Sequence, residues 1–165
     1  MTGRFNIWLP TTEEVTRDTA FRIPGIYTTL TLPSTSKKVI TVGAYNSRIN
    51  SIVDFSGRGY TRNNVYIKPD LVAPGLEIIT AKSGGGYGSF TGTSFATPFV
   101  TGAASLLIEW GIVNNNDPFL FGQRLKSFLR KGATREEDIT YPNREWGYGF
   151  LCIKDTLALL SGGGK

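Results

Sequence analysis

The chain has 165 residues, 40% of them hydrophobic, enough to bury one core and too few for two comfortable domains. It carries 18 Lys and Arg against 13 Asp and Glu, a net charge of +5, with one cysteine and no histidine. That excludes an internal disulfide and removes the usual ligands of a zinc site. No apolar run reaches the roughly 18 residues of a membrane span, and the start lacks the basic-then-apolar order of a signal peptide.

In chain order, residues 5–9 alternate in strand fashion and stop at Pro10, although Met1, Thr2 and Gly3 give them no clear beginning. Residues 11–24 mix charges without a period and read as irregular connection. Residues 27–32 are rich in β-formers and end at Pro33. Residues 39–44 form a nearly unbroken apolar run, the pattern of a buried central strand in a parallel sheet. Residues 47–64 read as a polar surface segment. Residues 71–73 and 76–80 are two further strands joined by the sharp Pro74-Gly75 turn.

The clearest helix opens at Ser94 or Phe95 and runs to about Trp110, apolar on several sides and so expected to be buried, with Pro98 in its first turn. Asp117 and Pro118 provide an N-cap and first-turn proline for a second helix, residues 119–131, which Gly132 closes. Phe119, Leu120, Leu125, Phe128 and Leu129 should face inward, leaving Arg124, Lys126, Arg130 and Lys131 as a solvated face. No nucleic-acid motif accompanies these charges, and no nucleic-acid or membrane partner is expected. Cys152, in the apolar run of residues 150–153, reads as a buried, inert thiol. A last helix over residues 153–160 runs into a flexible end at 161–165. Strands preceding helices indicate an α/β fold with a mostly parallel sheet and helices on both faces.

The chemistry centres on Gly92-Thr93-Ser94-Phe95-Ala96-Thr97-Pro98. A serine between a tight glycine turn and a helix is held at the surface of the fold, with its own N–H and the positive end of the helix dipole aimed at any oxyanion formed beside it. The commoner use of such a turn is only a capped helix start. A serine nucleophile also needs a base to take its proton, and the usual imidazole is absent from this chain. The glycine-rich residues 83–92 lack the GxGxxG or Gly-Lys-Ser/Thr spacing of a phosphate cradle. Phe95-Ala96 excludes the glycine that an α/β-hydrolase elbow requires two residues after its serine.

The serine segment resembles the active-serine motif of the subtilisin-like serine proteases, and four companions occur in that family's order. They are Val39-Ile40-Thr41-Val42-Gly43-Ala44, Asp54-Phe55-Ser56-Gly57-Arg58-Gly59, Lys68-Pro69-Asp70-Leu71-Val72-Ala73-Pro74-Gly75 and Trp146-Gly147-Tyr148-Gly149. The resemblance covers about residues 28–160. It implies the carboxy-terminal portion of a subtilisin-like fold, with Ser94 as catalytic nucleophile and with Gly92 and Thr93 binding substrate. Gly84 to Gly86 would border the cleft as a rim. Residues 3–9 and 28–34 are most similar to the clostridial, germination-type branch, so residues 1–26 read as the tail of an upstream or inserted segment and 27–160 as the peptidase part.

The family's chain order is Asp, His, Ser, with an oxyanion asparagine between His and Ser, and this sequence departs from it. Asp18 lacks the family's glycine after the threonine and sits too near Ser94, so it reads as a loop residue. Asn6 lacks the family's small-residue setting. Asn46, Asn50, Asn63 and Asn64 follow the central strand and lie on the wrong side. Phe99 stands where many relatives carry a non-catalytic histidine. The resemblance therefore implies partners upstream of residue 1, a polypeptide substrate, and the amino-terminal part of the parent protein as an obligatory companion. The alternative is a catalytically dead relative serving as a binding or regulatory protein. The resemblance leaves calcium open, since no carboxylate cluster here demands it. It also implies a secreted, cell-envelope or spore-associated setting.

Overall fold

The computed structural model describes residues 5–10, 14–16, 18–62 and 65–162. Among these, the strands are β1 (Val42–Asn46), β2 (Ser51–Ile52), β3 (Leu71–Pro74), β4 (Ile78–Ala81) and β5 (Tyr87–Phe90). The helices are α1 (Thr93–Ile108), prolonged by a π-helical turn over Glu109–Val113, then α2 (Gly122–Lys131) and α3 (Ile153–Gly162).

Strand β1 is central. It runs parallel to β3, Val42 opposite Leu71 and Tyr45 opposite Pro74, and antiparallel to the short β2 through Tyr45 and Asn46. Successive side chains of a strand alternate between faces, so Leu71 and Ala73 point one way and Val72 the other. On the first side, Ala44, Leu71 and Ala73 share a core with Val100 and Leu107 of α1 and with Leu125 and Leu129 of α2, and α3 lays Leu157 and Leu160 against it. On the second side Val72 packs with Trp146 and Phe150, flanked by Tyr45 and Ile52. The rings of Tyr45 and Phe150 meet edge-on at 4.8 Å. The result is the expected α/β fold, parallel in its principal pairing, with β4 and β5 as a separate antiparallel hairpin.

The differences from the sequence expectations have local causes. Residues 5–10 and 27–32 form no strand. Strand propensity is realised only through pairing, and Thr28, at φ 61, breaks the second run outright. β1 begins at Val42 because the backbone just before it serves another purpose: Thr41 N–H donates to Asp70 Oδ2 at 2.6 Å, and Val39 O accepts from Lys68 Nζ at 2.8 Å. The segment of residues 47–64 is not wholly surface, since it contains β2 and buries Val53 and Ser56.

Helix α1 buries only the stripe Ala96, Val100, Ala103 and Leu107, leaving Phe99 43% and Leu106 54% exposed. It starts at Thr93, which puts Pro98 in the second turn. A proline there removes the N–H that would pair with the carbonyl of Ser94, four residues back. Helix α2 starts at Gly122 because residues 117–120 form a turn of their own. Asp117 Oδ1 accepts from Phe119 N–H at 3.2 Å, Leu120 N–H donates to Asp117 O at 3.0 Å, and Phe119 is left 72% exposed. At its other end Gly132 does close the helix, its N–H donating to Phe128 O, and a side chain there would strike Thr156 of α3. Cys152 is half-buried. Ser161 and Gly162 belong to α3, while Gly163 to Lys165, like Asn63 and Asn64, fall outside the described residues.

Candidate active site

Ser94 is the second residue of α1 and is exposed to solvent. Its position is set by two glycines. Gly92, the N-cap, has φ 153, a conformation that L side chains rarely adopt. Gly75 lies so close to β1 that a Cβ on it would stand 2.6 Å from Ala44 Cβ and 3.1 Å from Gly92 O. Gly75 N–H donates to Tyr45 O at 3.1 Å, and Gly92 N–H donates to Gly75 O at 2.8 Å. This chain of bonds ties the serine turn to the carboxyl ends of the two parallel strands, the usual place for a site in an open α/β sheet. The Pro74-Gly75 turn is thus an anchor, which a sequence pattern shows only as a turn.

The surroundings are apolar on one side and open on the other. Phe90, at the end of β5, stacks on Phe95 with ring centroids 5.3 Å apart. That contact places the base of the β4–β5 hairpin beside Ser94. The triple glycine at its tip, with φ of 82, 97 and 75 at Gly84, Gly85 and Gly86, is farther off. At about 3.4 Å per residue, the four residues of β5 put it on the order of 13 Å from that base.

The N-terminus of α1 has no acidic residue in its first turn, so its unpaired amides and dipole are not neutralised locally. Thr97, Thr101 and Ser105 turn their hydroxyls back onto carbonyls four residues earlier, at 3.1, 3.2 and 3.0 Å. Among the described residues, Ser94 Oγ has no such partner. The last carboxylate before Ser94 in the sequence, Glu77, is bound to Arg48 at 2.6 Å. Asp18 and Asn6 are exposed loop residues. The site thus brings together Ser94, Thr93, Gly92 and Phe95. Among the described residues, no group of three or more Asp, Glu or Cys is placed to hold a metal.

A second constellation escaped the sequence reading. Asp70, fully buried just before β3, binds Lys68 Nζ at 2.8 Å, Lys126 Nζ at 3.0 Å and the guanidinium of Arg130. Lys68 also donates to Thr41 Oγ1 at 2.9 Å, and Lys126 to the carbonyls of Lys37 and Val39 at 3.0 and 2.7 Å. Lys126 and Arg130, read as solvated, therefore face inward. Burial, opposed by Asp70, lowers the Lys126 pKa from 10.5 to about 8. The signal available in the sequence was the Lys-Pro-Asp triplet, whose first and third residues share a side, together with two cations four apart on α2.

Comparison with known proteins places this architecture. The subtilase family profile matches residues 24–149, and the chain belongs to that family. It is 33% identical over 132 residues to the serine protease AprX of Bacillus subtilis, a match covering 67% of this chain and 28% of AprX. An uncharacterized protein of Aquifex aeolicus is 35% identical over 141 residues, covering 72% of this chain and 61% of that protein. Among solved structures, the CspB protease of Clostridium perfringens superposes with a TM-score of 0.85 at 48% identity, covering 88% of this chain and 31% of CspB. The prenylagaramide maturation protease PagA gives 0.67 at 34% identity, covering 82% and 47%. The chain thus spans less than two thirds of each of these relatives.

Proposed function

We propose that this chain is the serine-bearing, carboxy-terminal part of a subtilase-type serine endopeptidase and is inactive by itself. The observation that carries the reading is an exposed Ser94, fixed at a helix start by Gly92 and Gly75, in a sequence without histidine. In the complete enzyme Ser94 attacks the scissile carbonyl. A histidine upstream of residue 1 takes and returns the proton, and an upstream aspartate orients that histidine. The Ser94 N–H and an upstream asparagine receive the oxyanion. Gly92 and Thr93 line the cleft beside the bond. Residues 27–160 form the carboxy-terminal peptidase part, and residues 1–26 are the tail of an upstream or inserted segment. The partners are a polypeptide substrate and the amino-terminal part of the parent protein.

Loss of triad members removes on the order of a millionfold in rate. Purified residues 1–165 should therefore neither turn over peptides nor react with serine-directed fluorophosphonates. Joined to the sequence encoded immediately upstream, the chain should gain both activities and lose them again with Ser94→Ala. Stoichiometric labelling of Ser94 in the chain alone would overturn the need for an external base. An upstream sequence with no Asp-Thr/Ser-Gly and His-Gly segments would favour a catalytically dead binding protein instead.

A further inference from the structure

The Asp70 cluster carries more positive charge than it can neutralise. One carboxylate faces Lys68, Lys126 and Arg130, and a cavity of about 200 Å³ opens beside them, lined by Lys37, Gln123, Lys126, Arg130, Tyr66 and Tyr148 among others. Among the described residues, no carboxylate lines this cavity. We propose that it is a binding site for a free phosphate-type oxyanion, held chiefly by Arg130 and Lys37.

The division of labour follows from the hydrogen bonds. The ammonium groups of Lys68 and Lys126 each have three acceptors and are fully used within the protein, so they contribute charge. Arg130 is different. One terminal nitrogen reaches Asp70, its buried Nε has no acceptor among the described residues, and its Cζ lies 4.4 Å from the centroid of the Tyr148 ring. The side chain keeps 25% of its surface exposed, and its other terminal nitrogen, in no hydrogen bond among the described residues, is left as a charged donor for a phosphate oxygen. Lys37 also lines the cavity, with its ammonium 5.9 Å from the centroid of the Tyr66 ring and its charge unopposed there by any carboxylate among the described residues. A dianion between them would offset the excess charge that, with burial, makes the Lys126 cation unfavourable.

The site lies on the side of the fold where α2 meets the residues preceding β3, and it shares no residue with the Ser94 turn. Its test is therefore independent of any peptidase activity. Thermal unfolding of the 165-residue chain is followed while inorganic phosphate replaces chloride at constant ionic strength, in the unaltered protein and in Lys37→Gln, Arg130→Gln and Lys131→Gln. Lys131 belongs to the same helix but lies outside the cavity. A saturable rise in Tm is expected for the unaltered protein and for Lys131→Gln. Half-saturation should require about tenfold more phosphate in the other two, the usual effect of losing one charge-assisted hydrogen bond. Should Arg130→Gln fail to fold, Lys37→Gln alone decides the matter. A rise that does not saturate, that chloride reproduces, or that Lys131→Gln weakens as much as Lys37→Gln does, overturns the proposal.

Discussion

At the scale of single residues, the position of the serine depends more on its neighbours than on itself. Ser94 is exposed and bonded to nothing by its side chain among the described residues, whereas Gly75 fills a gap in which a methyl group would lie 2.6 Å from Ala44 Cβ. Gly75→Ala must push the Pro74-Gly75 turn off β1, and it carries Gly92 along through the 2.8 Å bond. Chemical unfolding should show a loss of about 1–3 kcal/mol for Gly75→Ala, as for overpacking in other cores. Ser94→Ala should stay within about 0.5 kcal/mol of the unaltered chain. Equal stabilities for the two variants would remove Gly75 as the anchor of the serine turn. The Gly-Thr-Ser segment was legible from sequence because its spacing is local. The contact that holds it was not, because Ala44, Gly75 and Gly92 meet only after β1 and β3 have paired.

At the scale of elements, the strands and helices were found nearly everywhere the apolar pattern is long, at β1, β3, α1, α2 and α3, and their ends were displaced wherever side chains commandeered the backbone. Helix α2 shows the deeper limit. Its polar side carries Arg124, Lys126, Arg130 and Lys131, and hydropathy cannot distinguish a cation facing water from one facing a carboxylate that is distant in sequence, as Asp70 is. The consequence is measurable. Lys126 titrates at about 8 in the fold and near 10.5 in the unfolded chain. Below about pH 8 both forms are protonated and the unfavourable burial of the cation is present in full. Between about 8 and 10.5 the unfolded chain holds more protons than the folded one, so this group makes stability rise with pH. Tyr45 and Tyr141, whose pKa values are raised above 10.0 chiefly by burial, act in the opposite sense above that point. Urea unfolding at stepped pH should therefore show a rise between 8 and 10 that Lys126→Met abolishes, with Asp70 still bound to Lys68 and Arg130. A rise of the same size in Lys126→Met would assign the effect to another group.

At the scale of the whole molecule, the subtilase class was legible because five motifs occur in order, and the apolar surface was not. Phe119 was placed inward on its hydrophobicity alone and is 72% exposed, as is Val113, while Phe99 and Leu106, seven residues apart and so on one side of α1, are also uncovered. Ile112 and Phe121 add to the same exposed set. Where such side chains adjoin, they mark a surface that meets something. On the proposed reading that something is the amino-terminal part of the peptidase domain, and α1, half-covered here, becomes an interior helix once it is present. The isolated chain should then bind a hydrophobic dye and associate in solution as concentration rises, and both signals should fall when the upstream sequence is joined to it. A cooperative, dye-silent monomer would instead make residues 1–165 a self-sufficient unit, with the exposed residues of α1 too scattered to form an interface.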